Sequence, residues 1–141
     1  MLPKLYEPSR GTVIVAHLVY ALHSLSIVLG VLQGFTLLGS VLIIAGAFVF
    51  SWPSIVAVIM NYCFRSDAQG TYLASHFAWQ IRTFWLTALY MVLIMLSSAV
   101  FLLIGVGLFI YWLGFLALGI WVAYRIIYGW MKLNEHSPLP L

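Results

Sequence analysis

Charged side chains are scarce in this sequence. They make up 6% of the 141 residues, whereas hydrophobic residues make up 65%. Soluble domains usually carry about 25% charged residues, which form a polar shell around the core. Three acidic and six basic residues cannot build such a shell. The outer solvent must therefore be lipid, and the sequence predicts an integral membrane protein.

The residues that most catalytic and metal sites need are also few. The single cysteine, Cys63, excludes an intramolecular disulfide and a Cys-based metal site. The three acids, Glu7, Asp67 and Glu135, lie outside the apolar segments, so an intramembrane carboxylate for proton or cation coupling is missing. No HExxH, GxSxG or phosphate-binding glycine motif is present. We therefore expect no enzyme, no metal and no cofactor.

Two long stretches carry no Asp, Glu, Lys or Arg: residues 11–64 and 83–124. As continuous helices they would be about 81 Å and about 63 Å long, at ~1.5 Å per residue. The hydrocarbon core of a bilayer is only about 30 Å thick, so each stretch must cross twice. Glycine-containing polar clusters place the two reversals near 33–40 and 105–107.

The predicted fold class is therefore an all-α bundle of four transmembrane helices, arranged as two helical hairpins in one domain over 1–141. The spans are predicted at approximately 12–32, 40–62, 83–103 and 108–128, with a loop over 63–82 and short tails. Pro53 falls inside the second span and predicts a kink there.

Orientation follows from the basic residues, all of which fall in the two tails, the central loop or the end of the last span: Lys4, Arg10, Arg65, Arg82, Arg125 and Lys132. The two predicted hairpin turns have none. The positive-inside rule then places both termini and the central loop in the cytoplasm.

The third predicted helix carries a polar stripe that lies within about 100° of arc: His76, Gln80, Thr83, Thr87, Tyr90 and Ser97. Facing lipid, these groups would lack partners, so we expect the stripe to face the bundle interior or a wet cleft. Two interpretations remain open. The stripe is either interhelical glue or, together with His17, a polar path or binding site.

The first predicted helix has small or polar residues on two nearly opposite faces. One face holds His17, Tyr20 and Ser24, and the other holds the helix-packing candidates His23, Ser26 and Gly30 followed by Gln33. We therefore expect this helix to be packed on two sides. Gly30 and Gly34 form a GxxxG pair, although Gly34 also suits the turn.

Four histidines raise the possibility of haem, which needs two imidazoles at one depth on facing helices. By helix rise His17 is expected about 8 Å inside the hydrocarbon, and His76 roughly 9 Å outside it if Arg82 marks the boundary. A deeper start of the third helix would reduce that mismatch. Haem binding is therefore the third functional hypothesis.

The central loop is the most distinctive stretch. Asp67 or Thr71 can cap the third helix. Several residues at the helix ends suit the headgroup region, where Trp rings anchor and Arg side chains snorkel: Arg65, Trp79, Arg82, Trp85, Arg125 and Trp130.

Short motifs resemble a known family. They are Ala16-His17-Leu18, a loop with a basic residue and Asp before His76-x-x-x-Gln80, and Tyr124-Arg125 ahead of Gly129 and a Pro-containing tail. This pattern resembles the bacterial domain-of-unknown-function membrane proteins related to the Tic-type chloroplast import component. The resemblance implies a small polytopic protein of the bacterial inner membrane, and its plant relatives suggest protein translocation by analogy.

Two main functions are compatible with these patterns. The first is a non-catalytic accessory or structural subunit that binds a larger membrane complex or itself, with no nucleic acid involved. The second belongs to the transport class, as a channel, carrier or translocation component that uses the stripe of the third helix.

Overall fold

The computed structural model describes residues 6–36, 46 and 48–140, with the side chains of 33–36 excepted. Within that part of the chain the regular structure is helical, with no strand. Four helices have both ends within the described ranges: α1 (Arg10–Thr36), α2 (Trp52–Phe64), α3 (Leu73–Leu102) and α4 (Gly107–Asn134). The all-helical prediction is confirmed for these residues.

Three of these helices, α1, α3 and α4, are long and apolar enough to cross a membrane. The apolar α2 has only 13 residues. Residues 37–45 and 47, which include most of the first predicted turn, lie outside the described residues. The GxxxG prediction rests partly on Gly34, whose surroundings are likewise outside the description. Three crossings are therefore supported by length and composition.

Local chemistry explains the start of α1 and of α3. At α1, the Ser9 hydroxyl accepts a hydrogen bond from the Thr12 backbone N–H, at 3.1 Å. At α3, Thr71 Oγ1 accepts from the Leu73 backbone N–H, at 3.2 Å. Of the two capping candidates in the loop, it is thus Thr71 that contacts the helix. The N-cap position itself is Tyr72, and α3 begins at Leu73, inside the stretch 63–82 that was predicted as a loop.

Two interruptions shape the other connections. Ser51 is extended, with φ −73° and ψ 146°, and α2 begins directly after it with Pro53 in its first turn. Helical residues 48–50 precede this break, so the chain bends beside Pro53 as predicted. Between α3 and α4, Gly105 adopts φ +80°, which favours glycine, and the chain reverses there as predicted.

The helices pack as two antiparallel pairs, α1 with α2 and α3 with α4, and α1 contacts all three other helices. The N-terminal segment, the α2–α3 loop and the C-terminal tail meet at one end, which we name the loop end. There the Tyr6 backbone N–H donates to the Gly70 carbonyl at 2.9 Å, and the Tyr72 ring contacts the His136 ring. The opposite end of the α3–α4 pair, around Gly105, is named the turn end.

Candidate functional site: a buried polar cluster

The loop end contains a buried histidine that joins three parts of the chain. His76 on α3 is fully buried. Its Nε2 donates to the Ser137 carbonyl oxygen at 2.9 Å, since a carbonyl can only accept. In the neutral ring Nδ1 then accepts from the Tyr20 hydroxyl, at 3.1 Å. His76 therefore ties α3 to α1 and to the C-terminal tail through both ring nitrogens.

Tyr20 is surrounded on its other sides by α4. Its ring stacks on Trp130, with centroids 6.3 Å apart and planes inclined by 10°. Trp130 Nε1 donates to His17 Nδ1 at 3.1 Å. A Cβ on Gly129 would collide with the Tyr20 hydroxyl, so glycine is required for this close approach. Trp130, predicted as an interface anchor, is thus part of the buried cluster.

The contact between His17 and Trp130 corrects the expected difference in depth between His17 and His76. His17 was expected inside the hydrocarbon and His76 outside it. In the structure, Trp130 bonds His17 and stacks on Tyr20, which in turn bonds His76, so both histidines belong to one loop-end cluster. The reason is that α3 already begins at Leu73, and that α1 is placed so that His17 lies beside Trp130 at the loop end.

The C-terminal tail is docked on α3 by a second contact. The Leu139 backbone N–H donates to Ser75 Oγ at 2.9 Å, and the Leu139 side chain is buried. No periodicity in the tail indicates this docking. Ser137 and Leu139 are therefore site residues that sequence reasoning missed.

Polar pairs also run along the seam between α1 and α2. His23 Nδ1 lies 2.7 Å from Ser54 Oγ, and Ser51 Oγ donates to Ser26 Oγ at 2.8 Å. His23 and Ser26, two of the helix-packing candidates, are buried in this seam, and Gly30 is buried too. Packing of α1 on two sides is confirmed, because the Tyr20 face meets α3 and α4.

Two helical turns nearer the loop end, the buried amide side chains of Asn61 and Gln80 lie at one level. On α1, Ala16 lies two turns before His23, and on α2, Asn61 lies two turns after Ser54. Because the two helices are antiparallel, Asn61 therefore lies opposite Ala16. Gln80 Nε2 donates to the Ala16 carbonyl oxygen at 3.4 Å. Both Asn61 and Gln80 are fully buried. The polar residues of α2 at Ser51, Ser54 and Asn61 were the sequence signal for this seam, and it was overlooked.

Some of these buried polar atoms have no hydrogen-bond partner among the described residues: both amide atoms of Asn61, Gln80 Oε1 and His23 Nε2. Buried polar groups in proteins nearly always have a partner from protein or ordered water. This seam and the neighbouring Gln80 side chain therefore have unused hydrogen-bonding capacity.

A cationic site lies at the side of the cluster. Arg125 Nε on α4 donates to Thr83 Oγ1 at 2.8 Å, and its guanidinium carbon lies 3.5 Å from the Trp79 ring centroid. Trp79 Nε1 in turn donates to the Arg125 carbonyl oxygen at 3.1 Å. Thr83, predicted as part of a polar path, instead holds the Arg125 side chain in place.

The remainder of the stripe does not face the interior throughout. Thr87 is buried and donates to the Thr83 carbonyl oxygen of its own helix, at 2.6 Å. Tyr90 is 41% exposed and Ser97 is exposed. His76, Thr83, Tyr90 and Ser97 are seven residues apart, and a straight helix drifts about 20° per heptad. That drift carries the last two residues to the surface.

The other predicted anchors lie at the surface. Arg65 and Arg82 are exposed, and Trp85 is 55% exposed while its Nε1 donates to the Tyr62 hydroxyl at 3.0 Å. Within the described ranges no group of three or more His, Cys, Asp or Glu side chains lies close enough to hold a metal ion.

No protein-family model, curated protein or solved structure matches this chain. The resemblance to the Tic-related family therefore stays a prediction from its short motifs.

Proposed function

We propose that this protein is a non-catalytic, four-span protein of the bacterial inner membrane that acts as an accessory or structural subunit, with the loop end in the cytoplasm. The topology is supported by the five basic residues within the described ranges, all at or near the loop end: Arg10, Arg65, Arg82, Arg125 and Lys132. The turn at Gly105 has none. The fourth span would include the short apolar helix α2, which the helical residues 48–50 before the break at Ser51 would lengthen.

One observation supports the non-catalytic role most directly. Hydrogen bonds inside the chain already use two of the candidates for a binding site or polar path: His76 bonds Tyr20 and Ser137, and Thr83 bonds Arg125. These side chains hold helices together. The outer faces of the helices, by contrast, expose many large apolar side chains, which suit lipid or another membrane protein.

Gentle extraction from the native membrane tests the accessory role. We expect the tagged full chain to co-purify with a partner, or with a second copy, in fixed stoichiometry in mild detergent. As a matched control, a harsh detergent should remove the companion and leave a folded monomer. A monodisperse monomer at every concentration of mild detergent would contradict the proposal.

Transport is the second candidate, and the α1–α2 seam favours it. Asn61 and Gln80 offer unpaired amide atoms at one level, and His23 offers an unpaired ring nitrogen deeper in the bundle. Water molecules bridging these groups would extend the polar path from the loop end toward Ser26 and Ser51.

Proton flux into proteoliposomes, measured with an enclosed pH dye under an imposed membrane potential, tests this candidate. The variants Asn61→Leu and Gln80→Met should abolish a flux that the exposed control Gln69→Met retains. Equal flux in all three variants, or none in the wild type, would contradict a path along this seam.

Haem binding remains the third hypothesis. Both His76 nitrogens and His17 Nδ1 take part in hydrogen bonds that axial ligation by those atoms would have to break. A Soret band in protein purified from native membranes would support haem, and a sample without that band would refute it.

A further inference from the structure

Arg125 is held in a fixed orientation near the loop end. Its guanidinium carbon lies 3.5 Å from the Trp79 ring centroid and 5.1 Å from that of Trp121. The hydrogen bond from Nε to Thr83 fixes the plane of the group. A guanidinium stacked on an indole and held at Nε presents its remaining N–H groups in one direction.

This cation has no anionic partner among the described residues. Glu135 pairs with Lys132 at 2.6 Å, which is the one ion pair among the described residues. Glu7 and Asp67 are exposed on the N-terminal segment and the α2–α3 loop. Arg125 Nη2 is buried without a hydrogen-bond partner among the described residues. A half-buried cation without a counter-ion among the described residues calls for an anion from outside the chain.

A second cation lies at the same height. Arg82 directly precedes Thr83, which bonds Arg125, and Arg82 is exposed. From Arg82 to the end of α3 is about 30 Å, and from the start of α4 to Arg125 is about 27 Å, at ~1.5 Å per residue. These lengths match the hydrocarbon thickness of about 30 Å. In a bilayer both arginines would therefore lie at the level of the lipid phosphates.

An apolar groove begins beside this pair and runs toward the turn end. It lies between α3 and α4, has a volume of about 370 Å³, and is lined by Tyr90, Ile94, Gly114 and Trp121 among others. Trp121 is one turn from Arg125, and Gly114 lies on the same face of α4. The groove is open to the side, where lipid would be.

We propose that Arg125 and Arg82 bind the phosphate of an anionic phospholipid, one acyl chain of which lies in the α3–α4 groove. The phosphate pairs with the guanidinium groups of Arg125 and Arg82, and so supplies the missing negative charge. A free phosphate would satisfy the two cations equally well but would leave the groove unfilled. The proposal requires membrane insertion, and it holds whether or not the accessory role is correct.

Binding of phosphatidylglycerol to the purified full chain in neutral detergent tests the headgroup contact, read by native mass spectrometry and by thermal unfolding. We expect the wild type to bind phosphatidylglycerol at least about tenfold more tightly than phosphatidylcholine. Arg125→Gln and Arg82→Gln should each lose most of that preference. The control Arg65→Gln removes the same charge from the exposed loop and should retain it.

Further variants keep the test decisive. Since Arg82 is exposed, Arg82→Gln remains informative if Arg125→Gln fails to fold. Ala117→Trp, inside the groove, should weaken binding of long-chain but not of short-chain phosphatidylglycerol. Leu116→Trp, on the exposed face, should weaken neither.

Three results would overturn the proposal. They are equal binding of the two lipids by the wild type, an equal loss in Arg65→Gln and Arg125→Gln, and equal stabilisation by inorganic phosphate at the same concentration, which would indicate a free anion. Because binding is measured on purified protein, its failure is separate from a failure of co-purification.

Discussion

The two halves of the α3–α4 pair are built in different ways. Toward the loop end, residues 73–87 of α3 include buried polar side chains that bond α1, α4 and the tail. Toward the turn end, residues 89–106 are mostly exposed and apolar, and Ser98 bonds only its own helix. Specific hydrogen bonds thus orient the helices where the chain can meet water. In the apolar half, close packing alone remains to hold them together.

Replacing His76 should have the largest effect on the loop half. His76→Phe keeps a ring but leaves the Tyr20 hydroxyl and the Ser137 carbonyl without partners, which we expect to cost about 3 kcal/mol of unfolding free energy. Denaturation in neutral detergent, with the helix content as the signal, measures this loss of unfolding free energy. The tail should also become sensitive to protease. An unchanged denaturation midpoint together with a protease-resistant tail would show that the hydrogen bonds of His76 do not stabilise the fold.

A matched pair of glycines sharpens the contrast between the halves. Gly129→Ala places a Cβ against the rigid Tyr20 ring and should destabilise by about 2 kcal/mol. In the turn half, the Cβ of Gly114→Ala would meet the Ile94 side chain at 2.9 Å, which can turn aside. Its cost should stay below about 1 kcal/mol. The same denaturation experiment compares them, and equal losses would refute the difference in packing.

Removing single hydroxyl groups gives a smaller effect. Tyr20→Phe deletes the hydrogen bond to His76 and should cost about 1 kcal/mol. Tyr90→Phe deletes a hydroxyl near the surface of the turn half and should leave the midpoint unchanged. If Tyr90→Phe is as destabilising as Tyr20→Phe, polar contacts are not confined to the loop half.

The smallest effect is expected on the α1–α2 seam. Ser54→Ala removes the hydrogen bond to His23, and such bonds within membranes average about 0.6 kcal/mol. Ser97→Ala, at an exposed position on α3, is the control and should cost nothing measurable. A loss above about 2 kcal/mol in Ser54→Ala would mean that the seam contributes as much as the loop-end cluster.

Sequence reasoning was most successful where one helix is sufficient to define a face. The buried positions of His23 and Ser26 and the turn at Gly105 followed from spacing and composition. The surface positions of Tyr90 and Ser97 were missed, because the drift of about 20° per heptad puts both at one edge of the predicted arc, and that edge is exposed.

Contacts that depend on three-dimensional placement could not be predicted. The bond from His76 to Ser137 joins residues 61 apart, and that from Trp130 to His17 joins residues 113 apart. The first bond depends on where the tail folds back onto α3, and the second depends on the height of α1 relative to α4. No local pattern encodes either placement, so Trp130 was taken for a lipid anchor, and His17 and His76 were expected at different depths.

Thiol labelling in intact cells tests most directly whether the loop end faces the cytoplasm and the turn end faces the other side. The single cysteine, Cys63, is exposed near the loop end, and Ile104 is exposed at the turn. We predict that a membrane-impermeant maleimide labels Cys63 only after the cells are opened. The double variant Cys63→Ser, Ile104→Cys should be labelled while cells are intact. Labelling of Cys63 from outside, or of both positions from the same side, would contradict this topology.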